Sequence, residues 1–102
     1  MKTIAKKKTV AKKSRPVLVT TIHRGVFFGY ATDTSGETIS LRAARNVVYW
    51  PAATKGFLGL ASDGPLTGAK VGPAADIELR GVTCVVEVSE AACARFELAP
   101  WT

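Results

Sequence analysis

One histidine, two cysteines and a single methionine are all that this 102-residue chain offers of the side chains most used for metal ligation and nucleophilic catalysis. Cys84 and Cys93 match no zinc spacing, and His23 is far from both in sequence. Two buried thiols in a cytosolic protein are expected, and a disulfide would need an oxidising compartment. No Ser or Cys has a histidine base in a recognisable arrangement, and neither G-x-S-x-G nor H-E-x-x-H occurs. The stretch Gly56-Phe57-Leu58-Gly59-Leu60-Ala61-Ser62-Asp63-Gly64 is glycine-rich but lacks the terminal G-K-[ST] of a phosphate loop. Glu78 and Glu87 fall on strand-like runs as isolated carboxylates. The expectation is a non-enzymatic protein with no catalytic residues, no metal and no cofactor.

Long apolar runs are missing as well. No stretch approaches the roughly 20 residues of a membrane span. No apolar run of seven or more follows the early lysines, so a secretory signal is not expected. The head has too little arginine to suit a mitochondrial transit peptide. A cytoplasmic location is expected.

Acid is absent from the first fifteen residues. They carry Lys2, Lys6, Lys7, Lys8, Lys12, Lys13 and Arg15, so the segment is +7. Residues 16–102 carry seven positives against eight acids, a net of −1. The formal +6 therefore describes a tail and not a fold. A domain that tracks phosphate backbone usually carries its basic stripe on itself. The tail would supply non-specific, salt-sensitive attraction to nucleic acid through Lys6, Lys7, Lys8, Lys12 and Lys13. Residues 1–15 read as a disordered basic arm and 16–102 as one small domain. A domain of this size has a thin core, for which oligomerisation is a common remedy.

β-branched and aromatic residues dominate what remains. Residues 17–22 and 26–32 read as strands, with 23–25 as a turn. Gly29 inside the second run marks a bulge or a close backbone approach. Asp33-Thr34-Ser35-Gly36 signals a hairpin. Residues 37–41 and 46–50 read as further strands, with Arg42–Arg45 as a bulge or short connection. Pro51 ends the ladder. A short helix is expected over about 54–62, capped by Thr54, and a loop over 65–74. Residues 76–88 read as two strands bent at Gly81. Val82, Cys84, Val86 and Val88 should share one face. Ser89 and Glu90 start a last helix whose buried stripe is Ala92, Phe96 and Ala99, joined by Cys93. Trp101 is expected to fold back onto the sheet. The class is α+β: a small antiparallel sheet of about five or six strands, beginning as a meander, with one short middle helix and one C-terminal helix.

The densest chemistry lies in Ala43–Trp50. Consecutive strand residues point to opposite faces, so Phe27 and Phe28 cannot share a core, and neither can Tyr49 and Trp50. The surplus must be covered by helices, by a second subunit or by a ligand. Aromatics beside arginines suit a nucleotide, with the ring on the base and the guanidinium on phosphate. Arg42, Arg45, Tyr49, Trp50 and Phe28 are the candidate ligand-binding residues. The alternatives for Arg42 and Arg45 are a solvated hairpin end or pairing with Glu37 or Glu78.

The run Gly25-Val26-Phe27-Phe28-Gly29, the stretch Ala44-Arg45 to Tyr49-Trp50, the helix end Leu60-Ala61-Ser62-Asp63-Gly64 and the ending Ala99-Pro100-Trp101-Thr102 resemble a family of small phage and prophage proteins of unknown function. The likeness spans 16–102 and is clearest over 25–64. It departs at Pro51-Ala52, where the family has a polar residue and then Gly-Ala. The resemblance implies a viral accessory protein and carries over no catalytic residue. Three functions are expected in order. The first is a homo-oligomeric module that sequesters an anionic, nucleotide-like ligand. The second is a nucleic-acid-associated protein using the lysine arm, and the third a structural or assembly component.

Overall fold

The computed structural model describes residues 14–23 and 25–100. The expected pattern is present: six antiparallel strands with one middle and one C-terminal helix, an α+β fold. The strands are β1 (Arg15–Thr21), β2 (Val26–Ala31), β3 (Ile39–Tyr49), β4 (Lys70–Val71), β5 (Ala75–Leu79) and β6 (Val82–Glu87). The helices are α1 (Gly56–Asp63) and α2 (Glu90–Leu98). β1 begins one residue before Pro16, at a position the sequence assigned to the arm. Arg24 and Trp101 lie outside the described residues, as do Lys6, Lys7, Lys8, Lys12 and Lys13.

The meander β1–β2–β3 follows the two turn signals. In the second turn Asp33 Oδ1 accepts from the Ser35 amide at 3.0 Å and from its hydroxyl at 2.7 Å. Such local bonds are why Asp and Ser favour turns. The two strand-like runs at 37–41 and 46–50 are parts of one strand of 11 residues. β2 pairs along one side of β3, and β5 and then β4 along the other.

That length requires a change of face partway. Ile39 and Leu41 belong to one core cluster with Val17, Val19 and Leu79. Val47 belongs to the other, with Leu18, Phe28, Leu60 and Phe96. Alternation alone would send Leu41 and Val47 to the same side. Ala43 breaks the alternation with φ 50°, and the register with both β2 and β5 shifts here. Asp76 holds the bulge, accepting from Ala43 N at 2.9 Å and from Arg42 Nη1 at 3.0 Å. Gly29 lies against it: an added Cβ would sit 3.1 Å from Leu41 Cβ and 3.2 Å from Ala44 Cα.

The sheet also curls. β5 and β6 stand on opposite sides of the order β5–β3–β2–β1–β6, yet only Arg80 and Gly81 join them. Four strand spacings in a flat sheet would span roughly 19 Å. Three Cα steps reach at most about 11 Å. The ends of the sheet must therefore bend toward each other. Gly81 makes the corner at φ 70°. Its carbonyl accepts from Ile22 N, and Val82 N donates to Glu37 O, both at 2.9 Å. The cluster of Val17, Val19, Ile39 and Leu41 fills the concave side, and α1 and α2 cover the other. Phe27 packs on the concave cluster and Phe28 inside the helix-side cluster, each covered from its own side.

Three local expectations are corrected. Thr54 does not cap α1: it closes a 3₁₀ turn, Ala52–Thr54, and its buried hydroxyl has no partner among the described residues. Lys55, left-handed at φ 67°, occupies the cap position instead. The loop 65–74 contains the two-residue β4, which pairs with β3 through Val71 and Lys70. The faces of β6 are not uniform. A register shift opposite Thr20–Thr21 puts Val82 with Val85 on the concave side and Val86 and Val88 on the helix side. Cys84 is therefore exposed and free, not buried; Cys93 is half-buried.

α2 starts as expected. Ser89 Oγ accepts from Ala92 N at 3.1 Å and donates to Ser62 O at 2.6 Å, so one cap joins both helices. Arg95 Nη1 donates to Asp63 O at 2.7 Å, satisfying a carbonyl at the end of α1. Replacing Gly29 by Ala should cost about 1–3 kcal/mol through overpacking against the bulge. Gly36→Ala, whose Cβ would meet nothing nearer than 3.9 Å, should leave stability within about 0.5 kcal/mol. Urea denaturation of the two variants compares them.

Candidate functional site

The bulged part of β3 meets the end of α2 at a cleft of about 490 Å³. Phe28 and Tyr30 from β2, Ala43 and Arg45 from the bulged part of β3, and Glu97 and Ala99 from the end of α2 line it. Its floor is aromatic. Phe28 stacks on Phe96 with centroids 4.5 Å apart and planes 9° from parallel. Tyr30 meets the edge of Phe28 at 5.5 Å and 75°. Such pairs add about 0.5–1.5 kcal/mol beyond the area they bury.

Arg45 is only 8% exposed. The bulge turns it toward the helices, on the same side as Val47. Its Nε donates to Gly72 O at 2.6 Å, Nη2 to Val71 O at 3.2 Å and Nη1 to Phe96 O at 2.6 Å. Phe96 is in the last turn of α2, where carbonyls lack helical partners and the dipole favours a cation. A buried charge needs compensation, and here three carbonyl dipoles supply it. Arg45 thus ties β3 to the β4–β5 connection and to α2.

Beside it lies a second polar group. The Tyr30 hydroxyl donates to the Glu97 carboxylate. Its oxygen lies 3.1 Å from Cys93 Sγ. A phenol has one proton, already directed to Glu97, so the Cys93 thiol donates to the phenol oxygen. Burial first, then the bonds to Cys93 and Glu97, push the Tyr30 hydroxyl well above the usual phenol range. The cleft combines an aromatic floor, a guanidinium held by three backbone carbonyls and a rim that carries a carboxylate. It can hold a flat or polar small group by stacking and hydrogen bonding.

The sequence candidates disperse. Phe28 and Arg45 share the cleft. Arg42 is exposed on the outer side of the bulge, paired with Asp76 at 3.0 Å and not with Glu37 or Glu78. The Ala43 amide, and then Arg42, hold the Asp76 carboxyl below its ordinary range. Tyr49 is 53% exposed at the end of β3, and Trp50 packs half-buried on the helix-side core. Neither lines the cleft. His23 is exposed in the turn after β1. Tyr30, Cys93 and Glu97 were missed, although the i, i+4 spacing of Cys93 and Glu97 shows that they share a helix face. Among the described residues no three His, Cys, Asp or Glu side chains cluster as metal ligands. No described helix is long and apolar enough to cross a membrane.

What the fold defines is a small α+β domain with a curled antiparallel sheet and helices on one face. The chain belongs to a family described as a domain of unknown function, DUF6948, whose model matches residues 14–96. No curated protein matches it, and no solved structure does.

Arg45→Lys should lower stability by about 2–4 kcal/mol, because an ammonium cannot reach three carbonyls in a fork. Chemical denaturation with far-UV circular dichroism measures it. The Tyr30 shift also sets a pH dependence. Its hydroxyl is raised in the fold, so the stabilisation is complete below the unfolded phenol value of about 10 and is lost as pH rises above it. Tyr30→Phe should flatten the loss of stability between roughly pH 10 and 11.5 relative to the parent.

Proposed function

We propose that this is a non-enzymatic accessory protein whose lysine-rich arm holds a folded body on a polyanion, with nucleic acid the chemistry that fits. One observation carries this reading: residues 1–14 hold six lysines and no acid, while from Arg15 onward eight positives balance eight acids. Arg15 bonds Glu87 and Thr34, Arg42 bonds Asp76, and Arg80 bonds Glu78. Arg45 and Arg95 donate to backbone carbonyls. Exposed pairs of this kind exchange readily, so the balance of charge, and not the pairing, separates the folded part from the arm. Cationic charge for an external anion is thus concentrated ahead of β1, where lysines act as solvated point charges. Affinity of this kind is sequence-independent and falls steeply with salt. The likeness to phage and prophage proteins suggests a bacterial host cytoplasm as the setting.

Capture of a nucleotide-like ligand is the second reading. The cleft favours it, with room for a small molecule over Phe28 and Tyr30. Against it, Arg45 spends its donors on carbonyls and Glu97 sets a carboxylate at the same rim.

The arm is tested in the full chain by replacing Lys6, Lys7, Lys8, Lys12 and Lys13 with Gln. Each phosphate neutralised contributes about 0.9 to the slope of log K against log salt on duplex DNA. The variant should lose roughly 4–5 units of slope and most low-salt retention on DNA. Equal slope and affinity in the two proteins would remove the reading.

A further inference from the structure

Strand β6 reads Val-Thr-Cys-Val-Val-Glu. One side pairs with β1; on the other, Val82 N donates to Glu37 O, and no strand of the described residues pairs with the rest of the strand. Val88 N donates to Pro16 O at 3.4 Å. Main-chain groups alternate along an antiparallel ladder, so Val86 faces β1 with Val88, while Val85 and Glu87 turn theirs outward. Open edges are usually blunted by lysine, proline or inward-pointing charge. Residues 82–86 contain none of these, and the register shift affects only the start of the strand. Beside the strand, a groove of about 380 Å³ runs between Val86, Val88 and Leu58 of α1. Leu58 is 68% exposed.

We infer that β6 pairs antiparallel with β6 of a second copy of this chain, about a two-fold axis near Cys84 and Val85. Self-complementarity selects a second copy over a foreign strand. Arg80 precedes the strand and Glu87 ends it. With the axis at Val85, antiparallel pairing lays Glu87 of each copy opposite Thr83 of the other, within reach of its Arg80. The positions between carry no charge, so no like charges oppose each other. Within one chain Arg80 bonds Glu78 and Glu87 bonds Arg15, both as exposed pairs that hold little energy and exchange partners readily. The groove at Leu58 opens beside this edge, so the second copy also covers apolar surface. Strand addition supplies main-chain hydrogen bonds, and the small contact makes the dimer weak and concentration-dependent.

Sedimentation of the full chain without nucleic acid, from about 5 to 500 µM, separates this from the role of the arm. The parent and Cys84→Ser should dimerise across that range. Cys84→Lys sets two ammonium groups at the axis and should raise the dissociation constant about tenfold or more. A short bismaleimide linker should join copies of the parent and of Cys93→Ser, but not of Cys84→Ser. A parent that stays monomeric throughout, leaving the edge to some other strand, overturns the proposal. So does a Cys84→Lys protein that dimerises like the parent, or linkage that runs through Cys93.

Discussion

A single change of alternation in β3, at Ala43, lets one strand serve two cores. Before it, Ile39 and Leu41 fill the concave side of the sheet; after it, Arg45 and Val47 face the helices. Without the shift, either the early or the late half of β3 would turn its apolar residues to solvent. The bulge is held from both neighbours. Gly29 leaves room on the β2 side, and Asp76 satisfies the Ala43 amide on the β5 side. The left-handed backbone at an alanine costs on the order of 1 kcal/mol, and it persists because these contacts over-determine it.

From that point the polar framework follows. The guanidinium of Arg45 reaches the end of α2 only because the bulge turned it inward. It takes the place of a hydrophobic plug and ties sheet, connection and helix through carbonyls that would otherwise be orphaned. Ser89 and Arg95 perform the same service between α1 and α2. The arginines thus act as internal cross-braces. Arg45 and Arg95 use their cations to close the fold.

The curl of the sheet has a second consequence. Bending β5 and β6 toward each other at Gly81 encloses a concave core but does not pair them, so beyond Val82 the outer side of β6 has no strand partner among the described residues. A thin domain therefore gains a well-packed interior on both faces of its sheet while keeping one uncharged edge.

Local chemistry made much of this legible in advance. β-branched runs, the Asp33–Gly36 turn, the Gly81 corner and the Ser89 cap each act over a few residues, so the class, the strands up to β3 and the start of α2 could be read directly. The glycine at 29 also announced a close approach. Other features depend on residues distant in the chain. The fusion of two strand runs into β3 needs β2 and β5 on either side, and the two-residue β4 exists only as a partner for Val47–Tyr49. Thr54 has a capping side chain, yet packing buried it. Arg45 and Trp50 looked like a pair for a ligand, whereas the core drew each into a separate contact. Composition and short-range periodicity by themselves determined which segments would be strands and helices and where the charge would lie. Only the tertiary structure decided which way each side chain faces, because one register shift reverses the alternation beyond it and nothing local reports the shift.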